Sequence, residues 1–372
     1  MDTNSKILIV ENDLAQITSY KDVIESFNKK SPIKIIPEIV ESLEEALKSL
    51  TEKSYDGAIL DLRLSDGKTE GNEIIKAIVD IKRFPVIIYS GFIGDLDPDI
   101  PKSIFFQPFG KTTHEFDDIL KILAQIFHTG VTRILDRKGE LENLIDIIFW
   151  KHLSGSLEYW FSEKNEKTLL RHTLTHAIEY LEIDKNRKFI DYNPAEVYIK
   201  PPIKPFIFTG TILQVKNSEE RFIVLSPACD LAHAGKARSI LLAQIDPLTI
   251  PLIRDLKIIL KMEIENGLTP AVYEKEYEKR VSARKTLMNI FKNNDALRYH
   301  YLPQCNYFEG GLINFQFLQS FSINELQENY EPIASITTNF CKDVIARFSY
   351  YYSRQGSPDF DFDKLINSHI DN

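Results

Sequence analysis

Short apolar runs alternate with amphipathic stretches through the first 128 residues. Lys6–Val10, Ile33–Val40, Ala58–Leu62, Pro85–Tyr89 and Ile104–Gln107 read as five strands. Leu14–Phe27, Leu43–Leu50, Gly71–Ile81 and His114–Phe127 carry apolar residues at helical spacing. Ser42, with Glu45 three residues on, is a capping-box signature for the second of these helices. The segment from Phe92 to Pro101 holds Gly94, Pro98 and Pro101, which suit a loop or a single turn better than a helix. Strand and helix in strict alternation predict an α/β, doubly wound, five-stranded parallel sheet.

The pattern then changes twice. Residues 129–190 read as a helical connector, with the aromatic load Phe149, Trp150, Tyr159, Trp160 and Phe161 packed in a core or a domain interface. From Tyr192 a proline-rich stretch leads into β-branched runs at Thr209–Val215, Arg221–Ser226 and Ser239–Gln244. Charged helical texture fills 252–298, strands return near Leu312–Phe321, and a helix covers Thr338–Tyr352. The expectation is three segments: 1–128, 129–190, and an α+β C-terminal domain over 191–372 with a small β-barrel-like core. The acidic tail from Gly356 is expected to fray.

A chain of 372 residues is too long for one typical domain. The N-terminus runs straight into a strand with no signal-peptide pattern, and no run is long and apolar enough to span a bilayer. Three widely spaced cysteines, Cys229, Cys305 and Cys341, suit a reducing cytoplasm rather than a disulfide framework. Residues 1–128 hold 15 Lys and Arg against 22 Asp and Glu, a net of −7 out of −9 for the chain. No basic block stands out, and no helix-turn-helix with a basic recognition helix is evident, so a nucleic-acid partner is not supported. Nothing in the pattern predicts the oligomeric state.

The candidate chemistry gathers at strand ends. Asp61 closes the apolar run Tyr55–Asp61, and in open parallel sheets ligands bind past the carboxyl ends of the strands. Alone it reads as a carboxylate capping its loop. It is joined by Glu11-Asn12-Asp13 after the first strand, Ser90 after the fourth and Gln107-Pro108-Phe109 after the fifth. These four motifs, in this order, resemble the response-regulator receiver family, CheY-like and flavodoxin-like in fold, over about a third of the chain. The resemblance implies that Asp61 accepts a phosphoryl group and that Ser90 and Gln107 are switch positions. It implies Mg²⁺ held by Glu11, Asn12, Asp61 and the backbone carbonyl of Arg63, and a histidine kinase or phosphotransfer protein as partner. Two positions depart from the family. Asn12 replaces an acid, with Asp13 one place late, and Gln107 replaces the lysine that would pair with the phosphoryl group. Lys111 lies four residues on, beyond a proline, and is not expected to reach the pocket. The alternative is therefore a pseudo-receiver, a constitutive docking surface that is never phosphorylated.

Four readings concern the rest of the chain. Gly210–Gln214 with Arg221–Leu231 resembles the barrel core of MazF/PemK toxins over about 40 residues, but their later Pro-x-Thr is absent. Cys229, Asp230 and His233 could form, with Arg221, a nuclease or hydrolase site, or hold a metal. A small buried cysteine and a turn-capping aspartate are the plainer account. His172 and His176 share a helix face, but Thr173 stands where a zincin needs glutamate. Tyrosines and arginines over 347–354 could stack on single strands, although a helix end needs no ligand. The reading favoured overall is a cytoplasmic response-regulator-like protein, with no enzyme activity beyond phosphoryl acceptance at Asp61. It would control a C-terminal effector or scaffold module, whose architecture resembles outputs of bacterial conflict and defence systems, and an effector partner protein is allowed for.

Overall fold

A computed structural model of the chain describes residues 3–64, 70–81, 83–99, 103–135, 139–161, 165–184, 186–233, 236–262, 269–294, 296–354 and 360–370. It divides into two compact units, Met1–Ile190 and Asp191–Asn372.

The first unit is built on β1 (Asn4–Val10), α1 (Leu14–Lys30), β2 (Lys34–Val40), α2 (Leu43–Glu52), β3 (Gly57–Leu60), α3 (Glu70–Ile81), β4 (Val86–Ser90), β5 (Phe106–Gly110) and α4 (Phe116–His128). The strands pair in the order β2-β1-β3-β4-β5, all parallel. That is the doubly wound, flavodoxin-like order. Alternation along each strand divides the core into two layers. Ile7, Ile9, Ile59 and Ile87 pack against Tyr20, Ile24 and Phe27 of α1 and Phe116, Ile119 and Leu123 of α4. Leu8, Val10, Ala58, Leu60 and Val86 pack on the opposite face against Ala46 and Leu50 of α2 and Ile74 and Ile78 of α3. The proline-bearing link between β4 and β5 forms a single 3₁₀ turn, Ile93–Asp95, among its described residues.

One boundary matters for function. The fifth strand was expected to end at Gln107, yet it runs on through Pro108 to Gly110. A proline lacks the N–H of an interior ladder strand, but β5 is an edge strand paired only with β4, so Pro108 is tolerated there.

After α4 the unit continues as α5 (Val131–Leu135), α6 (Glu140–Ile148), a π-helical turn Phe149–Leu153, α7 (Ser154–Trp160) and α8 (Glu166–Leu181). The aromatic load expected to be packed is mostly on the outside: Phe149, Trp150, Tyr159 and Phe161 are exposed. Trp160 is half-buried and meets His172, and His176 lies between the rings of His172 and His152 at 4.4 and 4.9 Å.

The second unit comprises β6 (Tyr198–Ile199), β7 (Thr211–Val215), β8 (Arg221–Val224), α9 (Ala228–Leu231), β9 (Ile240–Asp246), α10 (Pro251–Lys261), α11 (Pro270–Phe291), β10 (Tyr299–Leu302), β11 (Gly311–Phe321), α12 (Ile323–Asn329), β12 (Tyr330–Ile336), α13 (Thr338–Ser353) and α14 (Phe362–Ile370). Its seven strands form one antiparallel sheet in the order β10-β11-β9-β8-β7-β12-β6. Register shifts in β11, between Asn314 and Leu318, and in β12, beside Pro332, help it curl. The curl brings its two edges together: the Tyr198 hydroxyl donates to the Pro303 carbonyl at 2.7 Å, and the Tyr198 and Phe308 rings meet. The concave core of Ile212, Ile223, Ile313 and Phe315 is closed by Val344 and Phe348 of α13. The acidic tail was expected to fray, but Phe362–Ile370 is helical and exposed along its length. Gly356, where that tail begins, lies outside the described residues.

Candidate functional site

Four strand ends, those of β1, β3, β4 and β5, build a pocket at the carboxyl edge of the parallel sheet. Val10 pairs with Leu60, so Glu11 and Asp61 leave adjacent strands at the same level. Ser90 pairs with Gly110, so Lys111 emerges beside Ser90, and its backbone N–H donates to the Ser90 carbonyl at 3.2 Å. Glu11 and Asp61 are only 2% and 9% exposed, so two acids with water excluded need a cation.

That cation is Lys111. Its Nζ donates to Glu11 Oε2 and to Asp61 Oδ2, both at 2.6 Å. Burial works against its charge, but the hydrogen bonds to Asp61 and Glu11 prevail and raise its pKa above the usual lysine value. On the other side of Asp61, Ser90 Oγ donates to Oδ1 at 2.6 Å and the Arg63 N–H donates to the same oxygen at 3.3 Å. The Tyr20 hydroxyl donates to Glu11 Oε2 at 3.1 Å, and burial together with the Glu11 charge raises its pKa. Its ring is stacked on Phe116 at 4.0 Å, which fixes the direction of the hydroxyl.

The sequence-predicted residues thus sort into two sets. Glu11, Asp61 and Ser90 come together. Gln107 does not: it pairs with Ile87, down the sheet from the pocket, and its amide donates to the Ile104 carbonyl at 2.9 Å. Lys111, expected to fall short, occupies the place assigned to position 107, because β5 carries three further residues before the chain leaves the sheet. Asn12 is exposed and its amide donates to the Leu64 carbonyl at 2.6 Å. Asp13 caps α1, accepting from the Ala15 and Gln16 N–H groups. Tyr20 was missed, since an aromatic on a helix face reads as core.

The Arg63 side chain turns away from the pocket and ties two loops together. It makes an ion pair with Asp95 at 2.6 Å and lies over the Phe92 ring at 3.8 Å. From α3, Asn72 donates to the Asp95 carbonyl at 2.9 Å and accepts from the Asp97 N–H at 3.1 Å. The loop after β3 and the loop after β4 are therefore bound to one another just outside the Asp61–Ser90 contact. Gly71 at the start of α3 packs directly on the loop after β3: a Cβ there would stand 2.5 Å from the Asp61 carbonyl and 2.7 Å from Leu62 Cα.

Among the described residues no group of three or more His, Cys, Asp or Glu side chains is arranged to hold a metal. Mg²⁺ needs only one or two carboxylates, completing its octahedron with carbonyls and water. Glu11 and Asp61 supply such a carboxylate pair, and two carboxylates against one ammonium leave the cluster with an excess negative charge. These residues fit the ion.

In the second unit the candidates separate. Arg221 is buried, faces Glu309 at 3.7 Å and lies over Phe308. Cys229, Asp230 and His233 are on or beside α9. Cys229 and His233 are exposed, and Asp230 pairs with Lys236 at 2.7 Å, which lowers its pKa. Among the described residues no hydrogen bond joins Arg221 to the other three, nor Cys229 to His233. The expected small buried cysteine is therefore exposed. His300, a further buried titratable group of this unit, was passed over in the sequence reading.

Neither a family model nor a curated protein matches the chain. Among solved structures it is similar to the N-terminal domain of a response regulator/sensory box/GGDEF three-domain protein from Carboxydothermus hydrogenoformans. That match has 20% identity and a TM-score of 0.27, over 34% of this chain and 98% of that one. It is also similar to the PhyR response-regulator REC domain of Erythrobacter litoralis, with 17% identity and a TM-score of 0.28, over 34% and 91%. A third is a CheY-like receiver domain from Methylobacillus flagellatus, with 22% identity and a TM-score of 0.26, over 32% and 98%. At these values the likeness adds nothing to what the strand order already establishes about the fold. The comparisons give no support to a MazF/PemK likeness. Among the described residues no helix is long and apolar enough to cross a membrane.

Proposed function

We propose that the first unit is a phosphoacceptor switch of the receiver type and that Asp61 is its acceptor. The observation that carries this reading is the position of Lys111, bridging Glu11 and Asp61 at 2.6 Å while Ser90 holds the other Asp61 oxygen. An Asp61 carboxylate oxygen attacks phosphorus in line, the phosphorus–nitrogen bond of a partner's phosphohistidine breaks, and the imidazole leaves with the electron pair. Bound at Glu11, Asp61 and the Arg63 carbonyl, Mg²⁺ would supply charge neutralisation for the phosphoryl oxygens. Lys111 exchanges its bond to Asp61 for a charge-assisted bond to a phosphoryl oxygen. Ser90, losing Asp61 Oδ1, turns its hydroxyl toward the same group. Since Arg63 ties the β3 and β4 loops, this local charge change biases the segment Phe92–Asp97, and the surface it forms would signal to residues 191–372 or to an effector partner. The family's usual donor is a histidine kinase or phosphotransfer protein.

The test is intact-mass spectrometry after incubation with acetyl phosphate and Mg²⁺, for the wild type and Asp61→Asn. One phosphoryl adduct in the wild type alone is expected. An unmodified wild type, under conditions that label a control receiver, would favour the pseudo-receiver reading, in which Asn12, turned to Leu64, leaves the metal too weakly held.

A further inference from the structure

Tyr192, Phe291, Tyr301 and Phe340 wall a cavity of about 320 Å³ in the second unit, and Asp343 of α13 borders it. This is the small end of the range of about 300–1,000 Å³ usual for ligand sites. The aromatic walls hold one another in place. Phe291 is stacked on Tyr301 at 4.4 Å, and Tyr192 meets Phe340 edge-on at 5.3 Å. The Asn293 side chain accepts from the Tyr301 N–H at 2.6 Å, which ties the end of α11 to β10. The site is therefore shaped before any ligand arrives, and binding pays little for ordering it.

Charge defines the ligand. Asp343 is the only acid among the described residues that line the cavity, and no lysine or arginine lines it. His300, behind the same wall, offers no counter-charge: burial, with Arg347 adding to it, pushes its pKa down to about 3, so the ring is neutral at physiological pH. Its Nδ1 stands 3.9 Å from Asp343 Oδ2, too far for a direct hydrogen bond. Arg347, one helical turn beyond Asp343, donates instead to the Asn293 carbonyl. Among the described residues Asp343 has no ion pair with a lysine or arginine. A carboxylate without a cation thus borders an aromatic pocket. A neutral apolar guest would strip water from it without compensation, and an anion would be repelled. A metal ion needs several oxygen ligands, which these walls do not supply. A cation with an apolar body gains from both features, since aromatic rings attract cations and the carboxylate provides a charge-assisted acceptor.

We propose that this cavity binds a small organic cation, an ammonium group on an apolar body, with the charge held by Asp343 and the body seated among the aromatic side chains. The site lies wholly in the second unit and does not depend on the phosphoacceptor reading.

The experiment uses the full chain and two matched pairs of probes, titrated by calorimetry and ligand-observed NMR. One pair is choline with dimethylbutanol, its neutral carbon isostere, and the other is phenethylammonium with phenethyl alcohol. Within each pair only one member is charged. At least one cation should bind saturably, with its neutral partner at least fivefold weaker. Asp343→Asn should weaken that cation at least fivefold while leaving the far-UV circular dichroism unchanged, because the Asp343 side chain is 60% exposed and fills no core. If Asp343→Asn does not fold, the comparison within each pair on the wild type decides. No saturable binding of either cation at millimolar concentration overturns the proposal. So does a neutral partner that binds within fivefold of its cation, or a loss of less than fivefold in a folded Asp343→Asn.

Discussion

Lys111 is the one cation within hydrogen-bond reach of Glu11 and Asp61 among the described residues, so its removal should be felt twice. Breaking a buried ion pair from one side leaves the other charge uncompensated, at about 3–5 kcal/mol in well-enclosed sites. Lys111 keeps some solvent contact, so Lys111→Ala should cost somewhat less, about 2–3 kcal/mol by urea denaturation. It should also slow labelling of Asp61 by acetyl phosphate at least tenfold. Gln107→Ala should leave both quantities within error, and a tenfold loss of labelling there would reinstate the motif-based assignment. A separate residue-scale expectation concerns His300. Its pKa is lowered on folding, so the folded state takes up its proton later than the unfolded state does. Its contribution is full above about pH 6.5 and is lost as pH falls from there toward about 3. His300→Phe should therefore flatten the acid side of the stability–pH profile, by up to about 1.4 kcal/mol per pH unit in that window. An unchanged slope would show that His300 is not the group responsible.

At the scale of elements, the loop that carries Asp61 is positioned by a glycine that no motif flags. Gly71 lets α3 start against the Asp61 and Leu62 backbone, and a side chain there must displace backbone rather than a flexible tip. Gly71→Ala should cost about 1–3 kcal/mol, the usual penalty of overpacking, and should reduce phosphorylation out of proportion to its helix propensity. A mutant as stable as wild type, with normal labelling, would show that the loop yields. The strand and helix pattern of this unit was legible because the parallel sheet is buried on both faces and writes itself as apolar runs between turns. Glu11, Asp61 and Ser90 were legible for the same reason, since each directly follows such a run. The fifth strand was not. Phe106–Gly110 is only half-buried and contains Pro108, so neither hydrophobicity nor propensity marks its end, and the pocket lysine was misread with it. In the second unit His300 sits at an inward position of a four-residue strand, where alternation alone expects an apolar residue. Its neighbour Asp343, 3.9 Å away, lies over forty positions along the chain on a helix, a proximity that sequence spacing does not show.

At the scale of the whole molecule, each unit possesses its own cores. The first is held by two layers, one on each face of its parallel sheet, drawn from residues between Ile7 and Phe127. The second is held by clusters drawn from residues between Val197 and Tyr351. Chains with separate cores unfold in separate steps unless an interface couples them. Differential scanning calorimetry should therefore resolve two transitions, and ligands should assign them. Beryllofluoride with Mg²⁺ mimics the phosphoryl group at Asp61, and a ligand present at 100 times its dissociation constant stabilises the folded state by about 2.7 kcal/mol. That should raise one transition by several degrees in the wild type and leave it unmoved in Asp61→Asn. The second transition then reports on signalling. If it also shifts with beryllofluoride, and does so only when Asp61 is intact, the acceptor pocket and residues 191–372 are energetically linked, as an output controlled by phosphorylation requires. If it stays fixed while the first moves, the phosphoryl signal is read by another protein at the surface beside Phe92–Asp97, and the control of the second unit proposed here fails.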